Sequence, residues 1–279
     1  MQVGCETGKN MISYMKTGEP VIGSLILRND KGGAFLEDNI ALLKKWIQES
    51  DNIVFFGGAG VSTESGLPDF RSENGIFSAM SEYGYRPETI LSHSFFERNP
   101  EVFFRYYKKT LLCPDAKPND CHKALAKLEA DGKLRAVITQ NIDDLHQKAG
   151  SKKVFELHGT LYRNYCVKCG QEFPLEYVTK EEGVTRCNLC GGVVRPDVVL
   201  YEESLNEETI EKSVSFIANA DVLIIGGTSL NVYPAAGLIR YYDGKKTVLI
   251  NKSETPYDDK ASLIITKSIG EVFREIVEF

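Results

Sequence analysis

Ile53-Val54-Phe55-Phe56 runs without a break into Gly57-Gly58-Ala59-Gly60-Val61-Ser62. Four large apolar residues, β-branched or aromatic, read as a buried strand. Glycines directly after a strand let the main chain turn tightly, and N–H groups exposed there suit a pyrophosphate. The fingerprint of hydride-transfer enzymes would put a third glycine where Thr63 stands and a strand-ending acid about 20 residues later. Neither is present, which disfavours a dehydrogenase.

Working outward, Leu36, Ile40, Leu43 and Ile47 recur at helical spacing, with Trp46 nearby. Short apolar runs like the first return at Ala136–Thr139, Val154–Leu157, Val222–Ile225, Thr247–Ile250 and Leu263–Thr266. Helical stretches separate most of them: Pro100–Leu112, His122–Ala130, Glu207–Ala220 and Ala235–Tyr242. This alternation predicts an α/β fold, a parallel sheet covered on both faces. Residues 162–196 break the rhythm with polar text and suggest a small inserted module, leaving 36–161 and 197–279 to the sheet domain. Residues 1–35, rich in Gly, Ser, Thr and Asn, read as a loosely ordered tail.

Inside the interruption stand Cys166-x2-Cys169 and Cys187-x2-Cys190, 17 residues apart, with Gly170 and Gly191 placed to turn each pair into a knuckle. Four thiolates satisfy tetrahedral zinc and leave no position for water, so the spacing predicts one structural Zn2+ per chain. The chain has 7 cysteines, an odd number, and no signal-like start, which argues against a disulfide framework. No apolar run reaches the roughly 18 residues of a membrane helix. A formal net charge of −6 excludes a surface built as a whole for nucleic acid. A cytoplasmic protein without a membrane or specific nucleic-acid partner is expected.

Polar residues gather where strands end, the place ligands bind in open parallel sheets. After Ala136–Thr139 comes Gln140-Asn141-Ile142-Asp143-Asp144-Leu145-His146. Its amides could hold sugar hydroxyls and its carboxylate a carboxamide; alone, it could equally be an Asn helix cap before a solvated Asp pair. After Val154–Leu157 comes His158-Gly159, the one histidine of 4 at a strand terminus followed by glycine. Imidazole titrates near neutrality and suits a general base. Gly226-Gly227-Thr228-Ser229 follows a third strand, and Asn251 ends a fourth.

The stretch Gly58-Ala59-Gly60-Val61-Ser62-Thr63-Glu64-Ser65-Gly66-Leu67-Pro68-Asp69-Phe70-Arg71 resembles the leading NAD signature of the sirtuin family, although Gly57 stands where threonine is common. The motifs at 140–146, 156–159, 166–190 and 226–230 follow in that family's order. The resemblance implies a Rossmann-like NAD-binding domain, a small zinc-ribbon domain, and NAD-dependent removal of acyl groups from protein lysines. The acyl oxygen would displace nicotinamide, and the products would be free lysine, nicotinamide and an acyl-ADP-ribose. His158 would be the base that takes a ribose proton, with Asn141 and Asp143 positioning the NAD. Gly58, Ala59, Gly60, Thr63, Phe70, Arg71, Gln140, Ile142, Asp143, His158, Thr228, Ser229, Asn251 and Ile269 would contact NAD. Val198, Val199, Leu200, Asn231 and Val232 would clamp an extended acetylated peptide by strand addition. Here Tyr201-Glu202-Glu203 replaces the family's usual Phe-Gly-Glu. Family members that favour succinyl-lysine carry a Tyr and, three residues on, an Arg; the best match is Tyr107 with Thr110 at the arginine position, which implies a preference for uncharged acyl groups. A mono-ADP-ribosyltransferase and a non-enzymatic NAD sensor are the competing readings; neither requires His158.

Overall fold

The computed structural model describes residues 33–69 and 72–277. Residues 1–32, Phe70 and Arg71 lie outside the described residues, and with them most of the expected tail and two expected NAD contacts. The strands are β1 Ile53–Gly57, β2 Leu134–Thr139, β3 Val154–Glu156, β4 Gly159–Cys166, β5 Glu172–Phe173, β6 Val194–Val198, β7 Val222–Gly226, β8 Thr247–Ile250 and β9 Leu263–Ile265. The helices are α1 Gly33–Glu49, α2 Glu73–Tyr83, α3 Pro87–Ile90, α4 His93–Arg98, α5 Pro100–Tyr106, α6 Asp120–Ala130, α7 Leu145–Ala149, α8 Leu175–Thr179, α9 Glu207–Ala218 and α10 Ile269–Ile276. Among the described residues no helix is long and apolar enough to cross a membrane.

Six strands pair in the order β3-β2-β1-β7-β8-β9, every pair parallel. The pleat sorts side chains: Ile53 and Phe55 enter one core with α1, α6 and α10, while Val54 and Phe56 enter another with α9. In α1 the spacing read from sequence holds, since Ile40, Leu43 and Ile47 are buried against the sheet. Each such side chain contributes roughly 1.5–3 kcal/mol by leaving water. Sequence order runs away from β1 in both directions, so the sheet switches topology between β1 and β7. A crevice opens at their carboxyl ends.

The second sheet is antiparallel, β5-β4-β6. Its core joins Leu161, Cys166, Val178, Cys187, Val194 and Val198 to Ala79, Tyr83, Ile90, Phe103, Phe104 and Tyr107, so the helical segment 79–112 packs with the cysteine-bearing one.

Two expected α-helices differ in detail. The stretch 100–112 is α5 followed by a π-turn, Tyr107–Leu111. There Lys108 Nζ donates to the carbonyls of Glu181 and Gly183 at 2.8 and 2.7 Å and to Thr185 Oγ1 at 3.1 Å. These bonds pull the turn toward the segment before Cys187. The stretch Ala235–Tyr241 is a 3-10 helix, tightened at its start by Gly237 N–H donating to Pro234 C=O at 2.9 Å.

Candidate active site

The crevice is a cleft of about 500 Å3 whose walls come from both sheets. Its floor is two glycine turns pressed together. Gly58 N–H donates to Gly226 C=O at 3.3 Å and Gly60 N–H to Gly227 C=O at 2.8 Å. A Cβ on Gly60 would stand 2.8 Å from Gly227 Cα, and one on Gly227, at φ +59°, would stand 2.4 Å from Val61 N. No side chain fits where main chain already touches main chain. The result is a cradle of main chain at the ends of β1 and β7, lined by Gly58, Ala59, Gly60, Thr228 and Ser229. The Gly58 and Gly60 N–H groups are spent on the Gly226 and Gly227 carbonyls, so what these glycines offer a pyrophosphate is close approach of the main chain rather than those donors.

Polar side chains from the end of β2 complete the wall. Gln140 Nε2 donates to Thr228 Oγ1 at 3.1 Å, joining the β2 and β7 ends. Asn141 Nδ2 donates to Ser62 Oγ at 3.0 Å, and Ser62 Oγ donates to Asp143 Oδ2 at 2.6 Å. Burial pushes the Asp143 carboxyl upward, opposed by the Ser62 hydroxyl and the Leu145 N–H. Ser62 thus fixes both Asn141 and Asp143, a role that sequence reading missed. It lies 79 and 81 residues from its partners, and only the fold brings them together.

His158 follows β3 and faces the same cleft. Its Nδ1 lies 2.9 Å from Gln140 C=O. A carbonyl can only accept, so Nδ1 carries the proton and Nε2 is the basic nitrogen. Gly159, at φ +72°, must be glycine, because a Cβ would stand 1.9 Å from Asp197 C=O. That close approach brings β6 alongside His158, whose C=O accepts the Val199 N–H at 3.0 Å.

Ile142, Val198, Val199, Leu200, Asn231 and Val232 line the cleft, as does Leu111 from the Tyr107 helix, together with Leu91 and Leu161, which sequence reading did not single out. Thr63, Asn251 and Ile269 do not line it: Thr63 Oγ1 donates to Gly60 C=O, Asn251 Nδ2 to Ser253 C=O, and Ile269 is buried in the sheet core. Tyr107 is turned away as well, its hydroxyl donating to Leu161 C=O at 2.8 Å and Asn164 Oδ1 at 3.1 Å. Thr110 pairs with Tyr83 at 2.7 Å. In the Tyr201-Glu202-Glu203 turn, Glu202 takes φ +77°, which favours glycine, and its carboxylate accepts the Ser94 N–H at 2.9 Å and hydroxyl at 3.0 Å. Glu203 is held by the buried Arg195 at 2.6 Å and by His93 Nδ1 at 2.8 Å.

The four cysteine Sγ atoms of Cys166, Cys169, Cys187 and Cys190 lie within 4.8 Å of one another. The Cys166–Cys190 and Cys169–Cys187 separations are 3.5 and 3.8 Å, too long for disulfides. A tetrahedron of Zn–S bonds about 2.3 Å long has edges of about 3.8 Å, so the set fits zinc. Gly170 and Gly191, both at φ +72°, close the knuckles with N–H bonds of 2.9 Å to Cys166 and Cys187 C=O.

Beneath the glycine loop lie two buried histidines. Asn119 caps α6 and donates to Val61 C=O at 2.7 Å, while His122 Nδ1 accepts the Asn119 N–H at 3.3 Å. His122 Nε2 and both His146 ring nitrogens are buried without hydrogen-bond partners. Burial pushes His122 down to about 4, and burial, with His122 nearby, holds His146 well below the usual imidazole range. A folded pKa below the unfolded value near 6.5 means that the unfolded chain takes up protons first. Stability is therefore full above pH 6.5 and falls toward pH 4 by up to about 1.4 kcal/mol per unit for His122. Urea unfolding at pH 7 and pH 5 should show this loss, and His122→Gln, which keeps an acceptor for the cap, should reduce the loss by about 2 kcal/mol. An unchanged difference between the two pH values would refute the assignment.

Comparison with known proteins converges on one group. A family model described as the Sir2 family matches residues 58–234. A Clostridium acetobutylicum protein named NAD-dependent protein deacetylase is 57% identical over 243 residues, 87% of this chain and 99% of that protein. A solved Sir2 structure with p53 peptide and NAD+ superposes with a TM-score of 0.75 at 38% identity, covering 85% of this chain and 96% of the other. Sir2Tm bound to a propionylated peptide gives a TM-score of 0.75 at 37% identity, with coverages of 85% and 96%.

Proposed function

This chain belongs to the Sir2 (sirtuin) family, and on that premise we propose that it is an NAD-dependent protein-lysine deacetylase whose general base is His158. The observation that carries the reading is the Nδ1 contact of His158 with Gln140 C=O at 2.9 Å, beside a main-chain cradle for pyrophosphate. Bound NAD supplies a ribose whose nicotinamide can leave and whose hydroxyls can be deprotonated. The residues do the rest. Gly58, Ala59, Gly60, Thr228 and Ser229 hold the phosphates and the adjoining ribose. Gln140, Asn141, Ile142 and Asp143 orient the nicotinamide end, with Ser62 keeping Asn141 and Asp143 in register. His158 accepts a ribose hydroxyl proton at Nε2. Val198–Leu200 and Asn231–Val232 hold the acyl-lysine peptide between them. Residues 162–196 form the zinc module, whose four thiolates would close the coordination shell and give the metal a structural role.

Nicotinamide release, with and without acetylated peptide, tests the reading. Peptide-dependent release is expected. Release without peptide favours transfer to another nucleophile or hydrolysis, and no release favours a sensor. The same assay addresses the acyl group. Leu91, Ile142, Leu111 and Leu161 line the cleft, and among the described residues no Lys or Arg does. A succinyl carboxylate would forgo a charge-assisted bond, so kcat/KM should favour acetyl by about tenfold or more. Equal or better desuccinylation would mean that a cation reaches the pocket.

A further inference from the structure

Glu64 sits in the 3-10 turn Thr63–Ser65, directly after the glycine loop, and none of the roles above uses it. Its Oε1 accepts the Gly270 N–H at 2.9 Å. Gly270 is the second residue of α10, whose N-cap, Ser268, makes no side-chain capping bond. The carboxylate supplies the missing cap from a position 206 residues away. A Cβ at Gly270 would stand 2.4 Å from Glu64 Oε2, so the carboxylate occupies the space that a side chain would take. The neighbouring Ile269 packs under the end of β7, where a Cβ on Gly226 would meet its Cδ1 at 2.2 Å. Gly226 and Gly227 in turn accept the N–H groups of Gly58 and Gly60. Contacts thus run in a closed circuit through 58–65, 226–227 and 269–270.

We propose that Glu64 is a positioning residue for NAD. Its carboxylate latches the start of α10 to the glycine loop and so holds the cradle at its working width. Latching also keeps a negative charge turned onto a helix N-terminus and away from the neighbouring anion site, where a loose carboxylate would repel the pyrophosphate. The proposal rests on the deacetylase reading above.

Steady-state kinetics with NAD and acetylated peptide varied separately would test it. Glu64→Ala should raise KM for NAD about three- to tenfold and leave kcat and the peptide KM within about twofold. Glu64→Gln keeps an acceptor and should recover wild-type behaviour to within about twofold. Gly270→Ala should displace the carboxylate and raise KM for NAD similarly, whereas in the Glu64→Ala background it should add nothing, because the atom it collides with is gone. The shift in Tm produced by NAD should shrink in parallel. An unchanged NAD KM in Glu64→Ala, an equal rise in both KM values, or additive effects of the two substitutions would overturn the latch. A wild-type protein that neither binds nor consumes NAD would sink the deacetylase reading and the latch together. Normal NAD use by the wild type with an unaffected Glu64→Ala variant would sink the latch alone.

Discussion

Substituting His158 by alanine is expected to lower deacetylation of an acetylated peptide by at least ~100-fold, the scale on which positioned general bases act. The loss should fall on kcat. The fold should survive, because the bond that joins His158 to the residue after β6 is main chain, Val199 N–H to His158 C=O, and does not involve the ring. The Gln140 carbonyl that loses its partner faces the cleft, where water can replace the imidazole. NAD affinity should drop by much less than turnover, since the cradle formed by Gly58–Gly60 and Thr228 is untouched. A variant that turns over at close to the wild-type rate would show that another group removes the proton.

Cys187→Ser should release zinc and unfold the three-stranded sheet. Structural zinc contributes on the order of 10 kcal/mol to small metal-dependent folds, and a hydroxyl cannot replace the lost thiolate. Cys187 and Cys166 are also members of the core that includes Phe103, Phe104 and Tyr107, so the damage should reach the helices that wall the cleft. Metal analysis of the unmodified protein should find about one zinc per chain, and the variant should lose zinc and melt at a lower temperature. Carefully prepared, active protein that contains no zinc would refute the ribbon reading.

Legibility in the sequence followed the range of the interactions. The strands of the large sheet could be read because each is a short apolar run with a polar or glycine end, and β1 declares its two-faced burial in four letters. The cysteine pairs could be read because knuckle geometry needs only local spacing. What escaped depends on distant partners. The π-turn at Tyr107–Leu111 is widened where Lys108 reaches residues 181–185, and of the helical face expected at the cleft Leu111 lines it while Tyr107 does not. The union of 79–112 with the cysteine segment into one core left no periodic trace. The bridging hydroxyl of Ser62 stood in plain view within the quoted signature, but its work is defined by Asn141 and Asp143. Glu202, which stands where the resemblance leads one to expect glycine, takes a left-handed backbone, and two bonds to Ser94 offset the strain.

The meeting of Gly60 with Gly227 bears on how such an enzyme can change. Where two stretches of main chain are in contact, a methyl group already collides with backbone, so alanine is nearly as disruptive as tryptophan and small adjustments do not exist. Substitution at either of these two glycines is therefore close to all-or-none for the floor of the cleft. Gradual divergence between relatives with different substrates has to run through the parts of the cleft that side chains build, at Leu91, Leu111, Leu161 and the 201–203 turn, where one residue can be exchanged for another without moving the floor.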